Sequence, residues 1–176
     1  MKIFLMGYMG SGKSTVGKKL ARKLQLDFLD LDTYIENRTG KKIAQLFDSE
    51  GEKQFRSLEN KSLKELLYKD NIVIALGGGT PCFHNNIKLI NKNGISVYLD
   101  IKAETLVKQL SKEKNKRPLI RGMNNNKLKL FIKINLEKRR MFYSQAHYII
   151  KEKKMQGIKD RVQEIIKAIS IKKNMK

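Results

Sequence analysis

The chain has 176 residues, enough for one domain whose core needs no disulfide or metal staple, and its single cysteine, Cys82, permits no intrachain disulfide. Its 38 Lys and Arg against 17 Asp and Glu give a formal charge of +21. That surplus is spread along the whole chain beside abundant Asn and Ile, and the basic clusters at 151–154 and 172–176 lack interleaved aromatics, so it reads as residue-usage bias rather than a specific nucleic-acid surface. No apolar run approaches the ~20 residues of a membrane span, and Gly7, Gly10 and Gly12 stand where a signal peptide would be apolar; a cytoplasmic monomer with no membrane partner is expected.

In chain order, the apolar run Lys2–Met6 reads as a strand that passes directly into GYMGSGKST at 7–15. This stretch holds the G-x-x-x-x-G-K-[ST] pattern at Gly7, Gly12, Lys13 and Ser14. From Lys13 to Leu24, Val16, Leu20 and Leu24 fall on one helical stripe. Strand, glycine loop and helix together aim backbone N–H groups and the positive end of a helix dipole at one anion. In this pattern Lys13 reaches the β- and γ-phosphates of ATP and the Ser14 hydroxyl ligates Mg²⁺.

A second strand at 27–29 runs into Asp30-Leu31-Asp32. P-loop enzymes commonly hold the Mg²⁺ through an aspartate at the end of another strand, but the strand at 72–76 ends in Gly77-Gly78-Gly79, so Asp30 is the expected replacement. Asp32 has two readings: it orients or deprotonates an acceptor hydroxyl, or it caps a helix over 33–37. A helix over 52–68 carries Phe55-Arg56-x-x-Glu59, where Arg56 either meets a ligand or pairs with Glu59 at the surface. Beyond the glycines come a strand at 96–99, a helix at 103–110, a helix at 128–142, a strand at 148–150 and a helix at 158–169. The stretch 111–126, with Arg117-Pro118-Leu119, is charged and aperiodic and is expected to be a mobile lid. Five short strands alternating with helices predict an α/β fold of three layers, a parallel sheet covered on both faces, with ligands at the strands' carboxyl ends.

Six motifs in this order resemble the shikimate kinase family over essentially the whole chain: GYMGSGKST, the D-x-D of Asp30 and Asp32, F-R-x-x-E from Phe55 to Glu59, the three glycines, R-P-L from Arg117, and R-x-x-x-Y at Arg139 and Tyr143. The resemblance implies a single P-loop kinase domain over 1–176, with a nucleoside-monophosphate-kinase-like fold around a five-stranded parallel sheet. The implied reaction moves the γ-phosphoryl group of ATP, with Mg²⁺, to the 3-hydroxyl of shikimate in chorismate and aromatic amino acid biosynthesis. It also implies roles. Gly10, Ser11, Gly12, Lys13, Ser14 and Thr15 would hold the ATP phosphates, and Ser14 and Asp30 the metal. Asp32 would partner the acceptor hydroxyl, Gly78 would contact shikimate through its backbone, Arg56 and Arg139 would grip its carboxylate, and Arg117 would close from the lid onto ATP. Lys13, Asp32 and Arg117 form the implied catalytic set.

The chain departs from the family pattern in lacking an arginine ahead of the lid, in reading Arg139-Arg140-Met141-Phe142-Tyr143 without a proline, and in being a residue short after Tyr143. Counting back from Tyr143 selects Arg139, since i and i+4 share a helix face, and leaves Arg140 toward solvent. The rival readings are another small-molecule P-loop kinase, with gluconate or a nucleoside monophosphate as acceptor, and a nucleic-acid-binding P-loop protein. A pair of arginine forks suits one carboxylate better than a nucleotide base.

Overall fold

In the computed structural model, which describes residues 1–113, 118–154 and 157–173, five parallel strands form one sheet in the order β2-β3-β1-β4-β5. These are β1 (Lys2–Met6), β2 (Asp27–Asp30), β3 (Ile72–Ala75), β4 (Ile95–Asp100) and β5 (Tyr148–Lys151). The inner strands β1 and β3 are buried at every position, as a sheet covered on both faces requires. Their side chains alternate: Ile3, Leu5 and Val73 join Val97 and Leu99 on one face, while Phe4, Met6, Ile72 and Ile74 point to the other.

The first face is covered by α1 (Lys13–Leu24), α5 (Ala103–Leu110), α6 (Asn125–Tyr143) and α7 (Ile158–Lys173), which contribute Val16, Leu20, Leu106, Ile132 and Ile165. The second is covered by α2 (Leu31–Thr39), α3 (Ile43–Leu66) and α4 (Asn86–Asn93), which contribute Leu31, Ile35, Phe55, Leu63 and Ile90. One helix serves both layers: Leu128 and Ile132 of α6 lie in the first core, but its last residue, Tyr143, lies in the second. Helix α6 therefore carries Arg139 past the end of the sheet.

The expected strands are present, each within a residue or so at its ends. Helix α4 and the first part of α3 go beyond the expected elements, and α2 is longer at both ends than the helix over 33–37 that one reading of Asp32 offered. Helix α3 is interrupted at Gly51 (φ 77°, ψ 166°), and this break, with Asp48, Ser49 and Glu50 before it, hides the helical period of its first half. The stretch expected as a lid is not loop throughout. Residues Pro118–Ile120 form a 3-10 turn, Ile120 is fully buried in the first core, and α6 already begins at Asn125, capped by the Asn124 side chain accepting from the Lys127 N–H at 2.9 Å. Arg117 lies outside the described residues. Among the described residues no helix is long and apolar enough to cross a membrane.

Candidate active site

The buried strand β1 delivers the chain to Gly7, and α1 takes it up at Lys13. Between them the loop closes on itself, the Ser11 N–H donating to the Tyr8 carbonyl at 3.1 Å. Gly12 caps α1 in a left-handed conformation (φ 85°) and supplies no side-chain acceptor, so the first N–H groups of the helix remain available to an anion. Gly10 is also left-handed (φ 79°), Ser11 is buried, and Ser14 and Thr15 are exposed beside the loop. Lys13 folds back over the loop, its Nζ donating to the carbonyls of Gly7 at 2.9 Å and Tyr8 at 3.0 Å.

Strand β2 ends beside the start of α1. The Ser14 hydroxyl donates to Asp30 Oδ2 at 2.5 Å, and Asp30 Oδ1 accepts from the N–H groups of Asp32 at 3.1 Å and Thr33 at 3.4 Å. Asp30 is thus the cap of α2, which starts at Leu31 rather than at 33, and Asp32 sits in the first turn with its carboxylate not used as the cap. The Asp32 carboxyl points inward: a Cβ built on Gly77 would lie 2.8 Å from Asp32 Oδ1 and 2.6 Å from Glu59 Oε1. Burial, followed by the charges of Asp30 and Glu59, pushes the Asp32 carboxyl up to about 6, against the opposing pull of Lys13 and Arg56.

Across from the phosphate loop, the chain after β3 runs as a glycine strip between two arginines. On one side is Arg56, whose side chain is only 8% exposed. Its Nη1 donates to the buried Glu59 at 2.9 Å, while Nε and Nη2 donate to Glu52 at 3.3 and 3.1 Å. Gly79 has to be glycine here, because a Cβ would fall within 2.7 Å of the guanidinium. The other Glu59 oxygen accepts from the Thr80 hydroxyl at 2.6 Å, and the buried Asn86 amide donates to the Thr80 carbonyl at 2.8 Å. On the other side is Arg139, whose Nη1 donates to the Gly78 carbonyl at 3.1 Å, which also accepts from the Tyr143 hydroxyl. The Tyr8 ring of the phosphate loop lies 5.1 Å from the Arg139 Cζ. Among the described residues Arg139 is paired with no carboxylate, whereas Arg56 is paired with two. Arg140, 77% exposed, faces outward toward Glu137.

The structure therefore brings Lys13, Ser14, Asp30, Asp32, Arg56, Gly78 and Arg139 to the carboxyl end of one sheet. The surface alternative for Arg56 fails on its burial. Glu52, Thr80, Asn86 and Tyr8 also build the site, and sequence reasoning missed them. Glu52 has a signal in hindsight, four residues ahead of Arg56 on one helix; the others are placed by tertiary packing alone.

A model of one protein family, described as Shikimate kinase, matches residues 9–170. A shikimate kinase of Azobacteroides pseudotrichonymphae is 48% identical over 155 residues, 88% of this chain and 91% of that one. Among solved structures, a shikimate kinase from Bacteroides thetaiotaomicron superposes with a TM-score of 0.91 at 42% identity, covering 97% of this chain and 98% of the other. A shikimate kinase from Acinetobacter baumannii, solved in complex with shikimate, gives a TM-score of 0.89 at 36% identity over 98% of this chain and 94% of its own. With the family model matched over residues 9–170 and a relative 48% identical over 88% of the chain, the chain belongs to the shikimate kinase family.

Proposed function

We infer that this protein transfers the γ-phosphoryl group of ATP to the 3-hydroxyl of shikimate, giving shikimate 3-phosphate and ADP in the biosynthesis of chorismate and the aromatic amino acids. One observation supports this reading above the others. Gly78, at the centre of the acceptor wall, packs against the phosphate loop, so that a Cβ there would lie 3.2 Å from the Met9 nitrogen and 3.6 Å from the Gly7 carbonyl. A small acceptor held by this wall lies next to the transferring phosphoryl group, which is the positioning that phosphoryl transfer depends on.

In this reading Gly10 to Thr15 cradle the phosphates, and Lys13 leaves the Gly7 and Tyr8 carbonyls to stabilise charge on the β- and γ-oxygens. The Asp32 carboxylate, with its affinity for a proton raised by its surroundings, takes the proton of the attacking hydroxyl. Arg56 and Arg139 hold the acceptor carboxylate from opposite ends of the glycine strip, and the Gly78 backbone meets the ring. The Ser14 hydroxyl and the Asp30 carboxylate fit Mg²⁺, because this ion takes hard oxygen donors and commonly needs only one or two from the protein beside phosphate and water. Bound there, Mg²⁺ supplies neutralisation of the β- and γ-phosphate charge. Arg117 is assigned to close over ATP from the lid stretch and exclude water from the γ-phosphate.

A coupled assay of ADP release with shikimate, gluconate and AMP as alternative acceptors tests the reading. Turnover is expected with shikimate and only background hydrolysis with the others; preferred turnover with AMP or gluconate would overturn it.

A further inference from the structure

Arg56 meets an incoming carboxylate with its polar edge already occupied. Nε and Nη2, the side-on pair of donors that makes a guanidinium fork, both end on Glu52 Oε1, and Nη1 ends on Glu59. The rings of Phe83, Phe55 and Phe47 lie 4.4, 5.2 and 5.5 Å from Cζ, and Gly79 presses on the group from the backbone side. A guanidinium so enclosed can accept a new carboxylate on its side-on fork only when a resident one withdraws.

The two residents differ in their freedom to withdraw. Glu59 is 1% exposed and is also bound by Thr80, so leaving would strand a buried charge and a buried hydroxyl. Glu52 is 59% exposed, and among the described residues its side-chain hydrogen bonds all go to Arg56. It also directly follows Gly51, where the left-handed φ of 77° breaks α3 into two segments.

We propose that Glu52 is the resident counter-ion of Arg56, standing on the edge that the acceptor's carboxylate takes, so that acceptor binding exchanges one carboxylate for another and Glu52 sets the acceptor affinity. The proposal rests on Arg56 being an acceptor arginine, as read above. Glu52 touches no reacting atom; it is a positioning residue that acts through Arg56. The exchange keeps the buried guanidinium's fork paired before and after the acceptor arrives, at the cost of part of the affinity its fork could give.

The test measures dissociation constants of the whole protein for shikimate, without nucleotide, and for ATP, by calorimetry. Glu52→Gln and Glu52→Ala are expected to bind shikimate about two- to fivefold more tightly, the range set by a partly exposed ion pair, with ATP affinity unchanged. Glu52 is exposed enough that both variants should fold. In an Arg56→Ala background the Glu52 substitutions are expected to have no effect on shikimate, a dependence that a general structural change would not show. Arg56→Lys takes its place if that variant does not fold. Unchanged or weaker shikimate binding in the Glu52 variants, when loss of the Arg56 fork alone weakens it about tenfold or more, overturns the exchange. Should the Arg56 substitution leave shikimate affinity intact, the assignment of Arg56 to the acceptor is what fails, and the exchange falls with it.

Discussion

The proposed phosphate side of the cleft is made from consecutive residues, 7–15, and offers mainly backbone: N–H groups, a helix end and glycines that let the chain wrap. The proposed acceptor side draws Asp32 from α2, Arg56 from α3, Gly78 from the turn after β3 and Arg139 from α6, and would work mainly with charged side chains. The two also differ in how they are braced. The loop needs little beyond its own closure from Ser11 to Tyr8. The acceptor wall is cross-linked before any ligand arrives, Glu59 tying Arg56 to Thr80, Asn86 tying Thr80 to α4, and Tyr143 and Arg139 both meeting Gly78. Buried charges require such partners, since an unpaired one would cost several kcal/mol. A backbone site can be specified locally, whereas a site of buried charges must be specified by the whole fold.

Substitutions on the two sides should therefore fail differently. The largest effect is expected at Lys13, whose ammonium, in the reading proposed above, acts on charge that grows in the transition state. Lys13→Ala should lower kcat by about 10³-fold or more with the fold intact by circular dichroism. Activity within tenfold of the parent would remove the loop from the chemistry.

Asp32 stands where the two sides meet, and Asp32→Asn should lower kcat by about 10²-fold or more while the KM for ATP changes little. The raised Asp32 carboxyl adds a pH signature. A base must be ionised to act, so kcat/KM of the parent should fall as pH drops through about 6, and the residual activity of the Asn variant should lack that limb. Stability runs the other way. The folded carboxyl holds its proton up to about 6 while the unfolded one releases it near the ordinary 3.8, so Asp32 destabilises the fold progressively as pH rises through that window, and the deficit is fully present above it. Asp32→Asn should accordingly melt at a higher temperature than the parent at pH 7, with the gap closing toward pH 4. An unchanged kcat would leave Asp32 as a first-turn residue of α2 and nothing more.

The same contrast explains what the sequence disclosed. The loop at 7–15 was legible because its geometry is local: a strand, a glycine pattern and a helix stripe in one short stretch determine where the N–H groups point. The sheet was legible because β1 after Lys2 and the whole of β3 are apolar runs. Asp30 and Asp32 were visible as a pair, but which of them caps α2 was not, because either spacing satisfies a helix start; the structure settles it through Asp30 accepting from both Asp32 and Thr33. A surface pair of Glu59 and Arg56 stayed open as one of two readings because i+3 spacing says nothing of burial, and only the packing of the folded chain buries both. Helix α4 and Asn86 gave no chemical signal at all: the role of Asn86 is to hold the Thr80 carbonyl, a contact that exists only once the chain has folded.

The finest division within the acceptor side is between neighbours on one helix. Arg139 and Tyr143 share a face of α6, and both end on the Gly78 carbonyl, whereas Arg140 points to solvent beside Glu137. Arg56 is charge-balanced by two carboxylates, so of the two arginines proposed for the acceptor Arg139 offers the less compensated positive charge to an incoming anion. Removing it strands no buried carboxylate, and Tyr143 still serves Gly78, so Arg139→Ala should retain the parent's melting temperature within a few degrees. Its loss should appear in binding instead. A hydrogen bond to a charged partner contributes about 1.5–3 kcal/mol, which corresponds to roughly a 10- to 150-fold fall in kcat/KM for shikimate with the KM for ATP little changed. Arg140→Ala, an exposed substitution with one loose ion-pair partner at 3.8 Å, should stay within about threefold of the parent. The opposite ranking would place the acceptor's carboxylate off the Gly78 strip and break the assignment of this face of α6 to the acceptor.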